Sequence, residues 1–499
     1  MTYLTKYKKS PSLIRSVIII SLLISCAGCA VGPDFKRPDV PVGASVLREP
    51  IDITAADSSS GAPLVQRYQL GAEIREQWWS LFNSPKINVL VEKALKQNPT
   101  IEAAQAALKQ SQANASAQRG FYFPTIQAGY SPTRQGNSNT IAPTLNSGET
   151  PFSLNTAQVS VGFSLDVFGL NRRTVESLDA QVENQKFLLD AAYISLSTNV
   201  VSAAIQQAAL QAQINAVQEI IRASTHSLDL LRKQANLGFS SGLDVAAQET
   251  QLAQMEQLLP PLRKQLEQTR NQLAVLAGKL PSEGGFENFD LQSFELPMSL
   301  PISLPSQIVE QRPDVRAAEA QLHSASALVG VSIANRLPQI SLAAMLGGAA
   351  IPFSQMFTND NQFWGITGNI TQTVFDFGTL KFKQVAAEAA MEQAGAQYKA
   401  TVLSAFQNVA DTLYALNADA QALNAAQKAE SAAFKTFDLT RQQLSIGAVN
   451  VLALLIAEQA YHQAKIASIQ AQANRLLDTA ALFQALGGGW WNKTPAAQE

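Results

Sequence analysis

One stretch of this 499-residue chain is written twice. Asn98-Pro-Thr-Ile-Glu-Ala-Ala104 corresponds to Arg312-Pro-Asp-Val-Arg-Ala-Ala318, an offset of 313 − 99 = 214, and the same shift carries Leu108 onto Leu322 and Pro124 onto Pro338. Farther along, Phe168-Gly169 matches Phe377-Gly378, Asp229-Leu-Leu-Arg232 matches Asp438-Leu-Thr-Arg441, and Gly238 matches Gly447, now at 447 − 238 = 209. The five residues by which the offsets differ are lost between Pro338 and Phe377. Alanine-rich helices look alike by chance, but chance does not hold register through Pro and Gly landmarks. The fold must be built from two copies of one unit.

Each copy holds two strands and one very long helical hairpin. Ile126, Ala128 and Tyr130 alternate with Gln127, Gly129 and Ser131; Val159, Val161, Phe163, Leu165 and Val167 alternate with Ser160, Gly162, Ser164 and Asp166. Such alternation predicts strands with one apolar face. The second copy repeats it with Ile340, Leu342, Ala344 and Leu346, then Trp364, Ile366, Ile370 and Val374. No proline occurs between Pro151 and Pro260, and the helical pattern turns once, at Asn236-Leu-Gly-Phe-Ser-Ser-Gly242. Roughly 60 residues from Leu170 to Leu230 reach ~90 Å, against ~30 Å for a bilayer core. They carry too many amides and charges to lie in lipid, so they predict a water-side structure. Pro260-Pro261 predicts a joint, with a new helix from Leu262 to Leu276.

The segments follow from these landmarks: a signal peptide over 1–28, an extended N-terminal arm over 29–76, the first repeat over 77–281, a linker over 282–304, the second repeat over 305–490 and a tail over 491–499. Lys6, Lys8, Lys9 and Arg15 precede the apolar run Val17–Ile24, which is too short to span a bilayer and has an export-signal layout. The chain's two cysteines follow at once. Leu23-Ile-Ser-Cys26 resembles a lipobox, and Cys26-Ala-Gly-Cys29 is a second candidate. No aspartate follows either cysteine, so the inner-membrane retention signal is missing. A net charge of −2 excludes a nucleic-acid partner. His226, His323 and His462 are dispersed, with no H-E-x-x-H and no Gly-rich phosphate loop, so no enzyme, cofactor or metal is expected.

Four one-sided strands cannot close a membrane barrel, since the smallest have about eight. Lipid leaves no unpaired edge tolerated, so copies of the chain must share one barrel.

Several stretches resemble the outer-membrane factor family of bacterial export systems, the TolC and OprM type, in its NodT-like lipoprotein branch. They are Cys29-Ala-Val-Gly-Pro-Asp-Phe-Lys-Arg-Pro38, Trp78-Trp-Ser-Leu-Phe82, Leu304-Pro-Ser-Gln-Ile-Val-Glu-Gln-Arg-Pro-Asp-Val-Arg-Ala-Ala-Glu319 and Ala485-Leu-Gly-Gly-Gly-Trp490. The resemblance implies a mainly α protein with a transmembrane β-barrel: a homotrimer with twelve strands in the outer membrane and a periplasmic α-helical tunnel with an equatorial belt. It implies a passive duct docked on a periplasmic adaptor (membrane fusion) protein and an inner-membrane transporter, of RND type. It favours Cys29 as the lipid anchor where the lipobox favours Cys26. It puts the periplasmic entrance at the hairpin tips, Asn236–Val245 and Ser445–Ile456. Gly238 and Gly447 suit tight turns there. Asp244 matches a gate-forming carboxylate of some relatives, and Leu452 matches an apolar constriction ring. Ile456 stands where relatives often have aspartate, which speaks against a carboxylate ring at this position; an apolar ring there would hinder ions by dewetting, and the sequence leaves open which kind of ring forms the gate. The competing readings are the exit duct of a type I protein secretion system and a non-conducting lipoprotein spacer. The transported substrate is not encoded in this chain.

Overall fold

The computed structural model describes residues 30–39, 66–136, 151–283, 288–302 and 305–492. The export signal, Cys26 and Cys29 lie outside the described residues. In chain order the elements are β1 (Arg67–Leu70), α1 (Pro85–Gln97), α2 (Pro99–Arg119), β2 (Thr125–Gln135), β3 (Phe152–Leu165), α3 (Leu170–Asn236), α4 (Gly242–Leu276), β4 (Ser299–Ile302), α5 (Pro305–Gln311), α6 (Pro313–Ala334), β5 (Gln339–Ala350), β6 (Gln362–Thr371), α7 (Thr379–Ser445) and α8 (Val451–Ala485). A 3₁₀ turn, Trp78–Phe82, precedes α1.

The repetition is kept in the elements. α3 and α7 have 67 residues each and α4 and α8 have 35 each. Sixty-seven residues span ~100 Å. The repetition is also kept in single hydrogen bonds. Asn98 Nδ2 donates to the Leu276 carbonyl at 2.9 Å, and Arg312 Nη1 donates to the Ala485 carbonyl at 3.0 Å. In both copies the residue before the proline is fastened to the last carbonyl of the returning helix, because 98 + 214 = 312 and 276 + 209 = 485. Arg312 is further fixed by Asp314 through Nε at 3.0 Å and Nη2 at 2.7 Å.

Two expectations are corrected. α4 runs without a break through Pro260 and Pro261, from Gly242 to Leu276. A proline inside a helix costs about 3 kcal/mol or more. Here Leu259 and Leu262, on either side of the pair, pack against the buried cluster of Leu210, Ile214 and Leu266. A fully buried leucine contributes ~1.5–3 kcal/mol, so even the partial burial of this pair offsets much of the cost of continuing the helix through the prolines. Second, the stretches expected as an extended arm and a linker are not mere connections, since each contributes a strand. β1 pairs in parallel with β4, Arg67 opposite Ser299 through Leu70 opposite Ile302. Buried Gln66 ties this small sheet down by donating to the Pro297 carbonyl at 3.0 Å.

The chain divides into two compact units. One holds residues 1–37, 108–184 and 318–398; the other holds 38–107, 185–317 and 399–499. In the second unit the core is helical. Trp78 is fully buried and stacks on Phe483 at 5.2 Å, with Phe82 edge-on at 6.3 Å. The most apolar part of α3 is core there: Val200, Val201, Ala204, Ile205, Ala209 and Val217 are all buried. The first unit is built on one antiparallel sheet in the order β2-β3-β5-β6. β2, β3 and β5 begin earlier or run longer than the alternation indicated, but β3 stops at Leu165, short of Val167, and β6 stops at Thr371, short of Val374.

Candidate functional site

Register makes the sheet two-faced. Ile126 pairs with Val161, which pairs with Ala344, which pairs with Ile366; Val159 pairs with Leu346, which pairs with Trp364. Paired residues share a face, so these form one continuous apolar surface. It is open: Ile366 is 77% exposed and Trp364 76%. The opposite face carries Gln127, Ser160, Ser341 and Asn369 and no charged side chain; Arg134, the one charged residue of the four strands, lies in the row of Ile126 and Tyr130, near the far end of β2. Eleven residues of β2, tilted as barrel strands are, rise ~28 Å, close to the ~25 Å apolar band of an outer-membrane barrel. Exposed aromatics mark both ends: Phe121, Phe123, Phe375 and Phe377 at one, Tyr130, Phe353 and Trp364 toward the other. The outer edges of β2 and β6 pair with nothing among the described residues.

The start of the N-terminal arm is fastened to this unit. Val31 N donates to the Phe168 carbonyl at 3.1 Å. Buried Arg173 donates to the carbonyl of Val31 at 3.1 Å, to Asp34 at 2.7 Å and to Glu176 at 2.8 Å. Phe35 stacks on His323 at 4.4 Å, and His323 Nε2 lies 3.1 Å from Glu176. Arg37 pairs with Glu319 at 3.2 Å. The arm therefore begins beside the β3–α3 junction, where the apolar face ends.

The hairpin tips belong to the helical unit. Gly238 and Gly447 both have left-handed backbone, φ 77° and 75°, and close matching turns. Asp244 does not point freely outward. Its Oδ2 accepts from Ser241 N at 3.0 Å and Ser241 Oγ at 2.7 Å, while Ser241 Oγ accepts from Asp244 N at 3.2 Å. This reciprocal cap starts α4, and the Ser241 hydrogen bonds hold the Asp244 carboxyl below its ordinary range. Asn450 caps α8 in the same place, accepting from Ala453 N at 3.0 Å.

Leu452 is 54% exposed and Ile456 61%, while Leu455 between them is buried. Leu243 is more exposed still and is the repeat mate of Leu452, since 452 − 243 = 209. Sequence reading passed over it, although the offset points to it directly. It also passed over Glu458, two residues beyond Ile456. Glu458 is buried, and its Oε1 accepts from Ser224 Oγ of α3 at 3.2 Å and lies 3.3 Å from His462 Nε2. It ties α8 to the first hairpin close to the exposed tip.

A second charged group lies deeper in this unit. Burial and the neighbouring Asp478 carboxyl push Asp419 up to about 7, with Arg475 acting the other way. Burial likewise pushes Tyr68 up to about 12. Asp419 therefore binds a proton in the folded state that the unfolded chain releases near pH ~4. Stability should fall as pH rises toward about 7 and then level off. The thermal midpoint is expected to be higher at about pH 5.5 than at about pH 8, and Asp419→Asn should flatten that dependence; an unchanged slope in the variant would remove Asp419 as its source.

A model of the family described as outer membrane efflux protein matches residues 90–279 and 304–488. The chain belongs to the outer membrane efflux protein family. The two matched stretches begin 304 − 90 = 214 residues apart and end 488 − 279 = 209 apart, the two offsets of the internal repeat. Among its relatives, this efflux protein is 29% identical to the pyoverdine export outer membrane protein OpmQ of Pseudomonas putida, over 84% of this chain and 89% of the relative. It is 25% identical to the probable outer membrane lipoprotein SilC of Salmonella typhimurium, over 95% and 98%. Its fold matches the solved outer-membrane channel OprN with a TM-score of 0.82 and 26% identity, over 93% of this chain and all of the other. The efflux protein is an outer-membrane channel with a helical tunnel and a barrel.

Proposed function

We propose that three copies of this chain close one twelve-stranded pore, the passive outer-membrane duct of a tripartite pump. It takes small molecules from an inner-membrane transporter of RND type, through a periplasmic adaptor, to the exterior. The observation that carries this is the four-stranded sheet with one exposed apolar face and, among the described residues, two unpaired edges. Such edges are not tolerated in hydrocarbon, and pairing β2 of one copy with β6 of the next removes all of them at once. The uncharged inner face fits a duct that leaves selection to the transporter. OpmQ is a pyoverdine export protein, which supports a small-molecule cargo here. Native mass spectrometry of the detergent-extracted protein should give a trimer, and the trimer should conduct salt in planar bilayers. A single subunit, or an impermeable trimer, would refute the proposal.

The anchor belongs to the same reading. Ala30 begins the described chain beside the β3–α3 junction, held there through the Val31 N–H. An acyl group on the residue just before it would enter lipid where the apolar face ends, which supports Cys29 over Cys26. Cys29→Ser should abolish incorporation of labelled palmitate, and Cys26→Ser should leave it intact. The opposite pattern would move the anchor to Cys26.

At the tips, three chains would present Leu243 and Leu452 as a near-sixfold apolar constriction, with Ile456 one turn further in. Asp244, spent on its cap, serves the turn.

A further inference from the structure

The connection between β5 and β6, residues 351–361, folds back onto the apolar face of the sheet. Gly348 pairs with Ala157 and lies on the same face as Leu346. A methyl group on Gly348 would collide with the carbonyl oxygen of Met356, so the loop occupies the space on that side. Met356 is 1% exposed, whereas Phe353 is 61% and Phe357 65% exposed. Phe353 packs edge-on against Tyr130, 5.9 Å between ring centres, and Tyr130 is itself on the apolar face. The Tyr130 hydroxyl donates to Asn155 Oδ1 at 2.8 Å, and Asn155 Nδ2 donates to the Ile351 carbonyl at 2.9 Å.

The loop also satisfies much of its own backbone. Successive turns bond Gln355 N to Pro352 O, Met356 N to Phe353 O, Thr358 N to Gln355 O and Asn361 N to Thr358 O, at 3.0–3.2 Å. Asn361 Nδ2 covers the Gln355 carbonyl at 2.9 Å, and Gln362 Nε2 covers the Phe357 carbonyl at 3.2 Å. A segment with its polar groups so occupied can enter an apolar boundary at low cost. Asp360 is its sole charged residue, so it offers no cation to a phosphate. β5 lies inside the sheet, flanked by β3 and β6, so its face is turned away from the edges where copies would meet.

We propose that this loop is a foot planted in the outer leaflet, with Phe353 and Phe357 inserted among acyl chains at the headgroup boundary. It leaves the pore mouth uncovered by lying outside the barrel wall. The proposal rests on the apolar face being the lipid side, and the test keeps the two apart. Spin labels would be placed by Phe353→Cys, Phe357→Cys, Ile366→Cys on the mid-face and Ala448→Cys at a hairpin tip. The labelled trimers would be reconstituted into phosphatidylethanolamine–phosphatidylglycerol vesicles, with the parent protein giving the labelling background. At 353 and 357, collisions with oxygen should exceed those with a nickel chelate several-fold, as at 366 and opposite to 448. Nickel dominating at 353 and 357, or neither probe reaching them, would overturn the foot. An aqueous reading at 366 would instead overturn the lipid side itself. Gly348→Ala should move the label at 357 toward water while 366 stays unchanged, and no movement would refute the folded-back geometry. Should that variant fail to assemble, the labels in the glycine-bearing protein decide.

Discussion

Serine at Leu452 and Ile456 together will raise the single-channel conductance of the reconstituted trimer several-fold. Both side chains stand open to solvent in the single chain, so they contribute little to its packing. Their replacement should cost no more than about 0.5 kcal/mol each, the range of ordinary surface changes. What they would supply in a trimer is an apolar ring too narrow to stay wetted, and ions do not cross a dry constriction. Hydroxyl groups at the same positions let water in. Adding Leu243→Ser should open the pore further, because that leucine holds the equivalent first-turn position of the other hairpin. Leu455→Ser is the informative contrast. Leu455 is buried, so its loss should weaken the fold by the ~2–5 kcal/mol of a truncated core leucine without widening the pore. Unchanged conductance in the Leu452/Ile456 variant would remove the tips from the gate.

How far this was legible depended on whether the signal was local. The repeat was readable because Pro99, Pro313, Gly238 and Gly447 are punctuation that only particular backbones accept. The strand cores were readable because one apolar face enforces strict alternation. Their ends were not: β3 extends back to Phe152 because Phe152 pairs with Gln135, a fact of register rather than of residue type. β1 and β4 were invisible for the same reason, being four residues each and joined across 299 − 67 = 232 positions. Pro260-Pro261 misled because propensity is a local cost and the leucine cluster that offsets much of it comes partly from α3. Gly238 and Gly447 announce their turns by residue type, but the Glu458–Ser224 bond spans 234 positions and no local pattern announces it.

The largest loss of stability should follow Gly278→Ala. Gly278 has φ +70°, as the cap that ends α4, with Lys279 N bonding back to the Ala274 carbonyl at 2.9 Å. Left-handed backbone costs a non-glycine residue about 1–2 kcal/mol. Gly238 at the first tip has φ +77° and the same kind of closure, yet nothing lies within 4 Å of where its side chain would go. Gly238→Ala should therefore show the backbone cost alone. At Gly278 the added methyl would run into the Gln97 carbonyl oxygen, and it is backbone, not a side chain that can swing away. Nor can that backbone retreat. The next residue, Asn98, is buried and donates to the Leu276 carbonyl, while its Oδ1 accepts from Thr100 N at 2.8 Å. The second copy has the same arrangement, with a methyl at Gly487 falling 2.8 Å from the Gln311 carbonyl oxygen. Thermal unfolding followed by circular dichroism should thus rank Gly278→Ala far below the parent, Gly487→Ala next and Gly238→Ala least affected. If Gly278→Ala and Gly238→Ala unfolded together, left-handed backbone alone would account for both, and the junction between helix pairs would be looser than its hydrogen bonds describe.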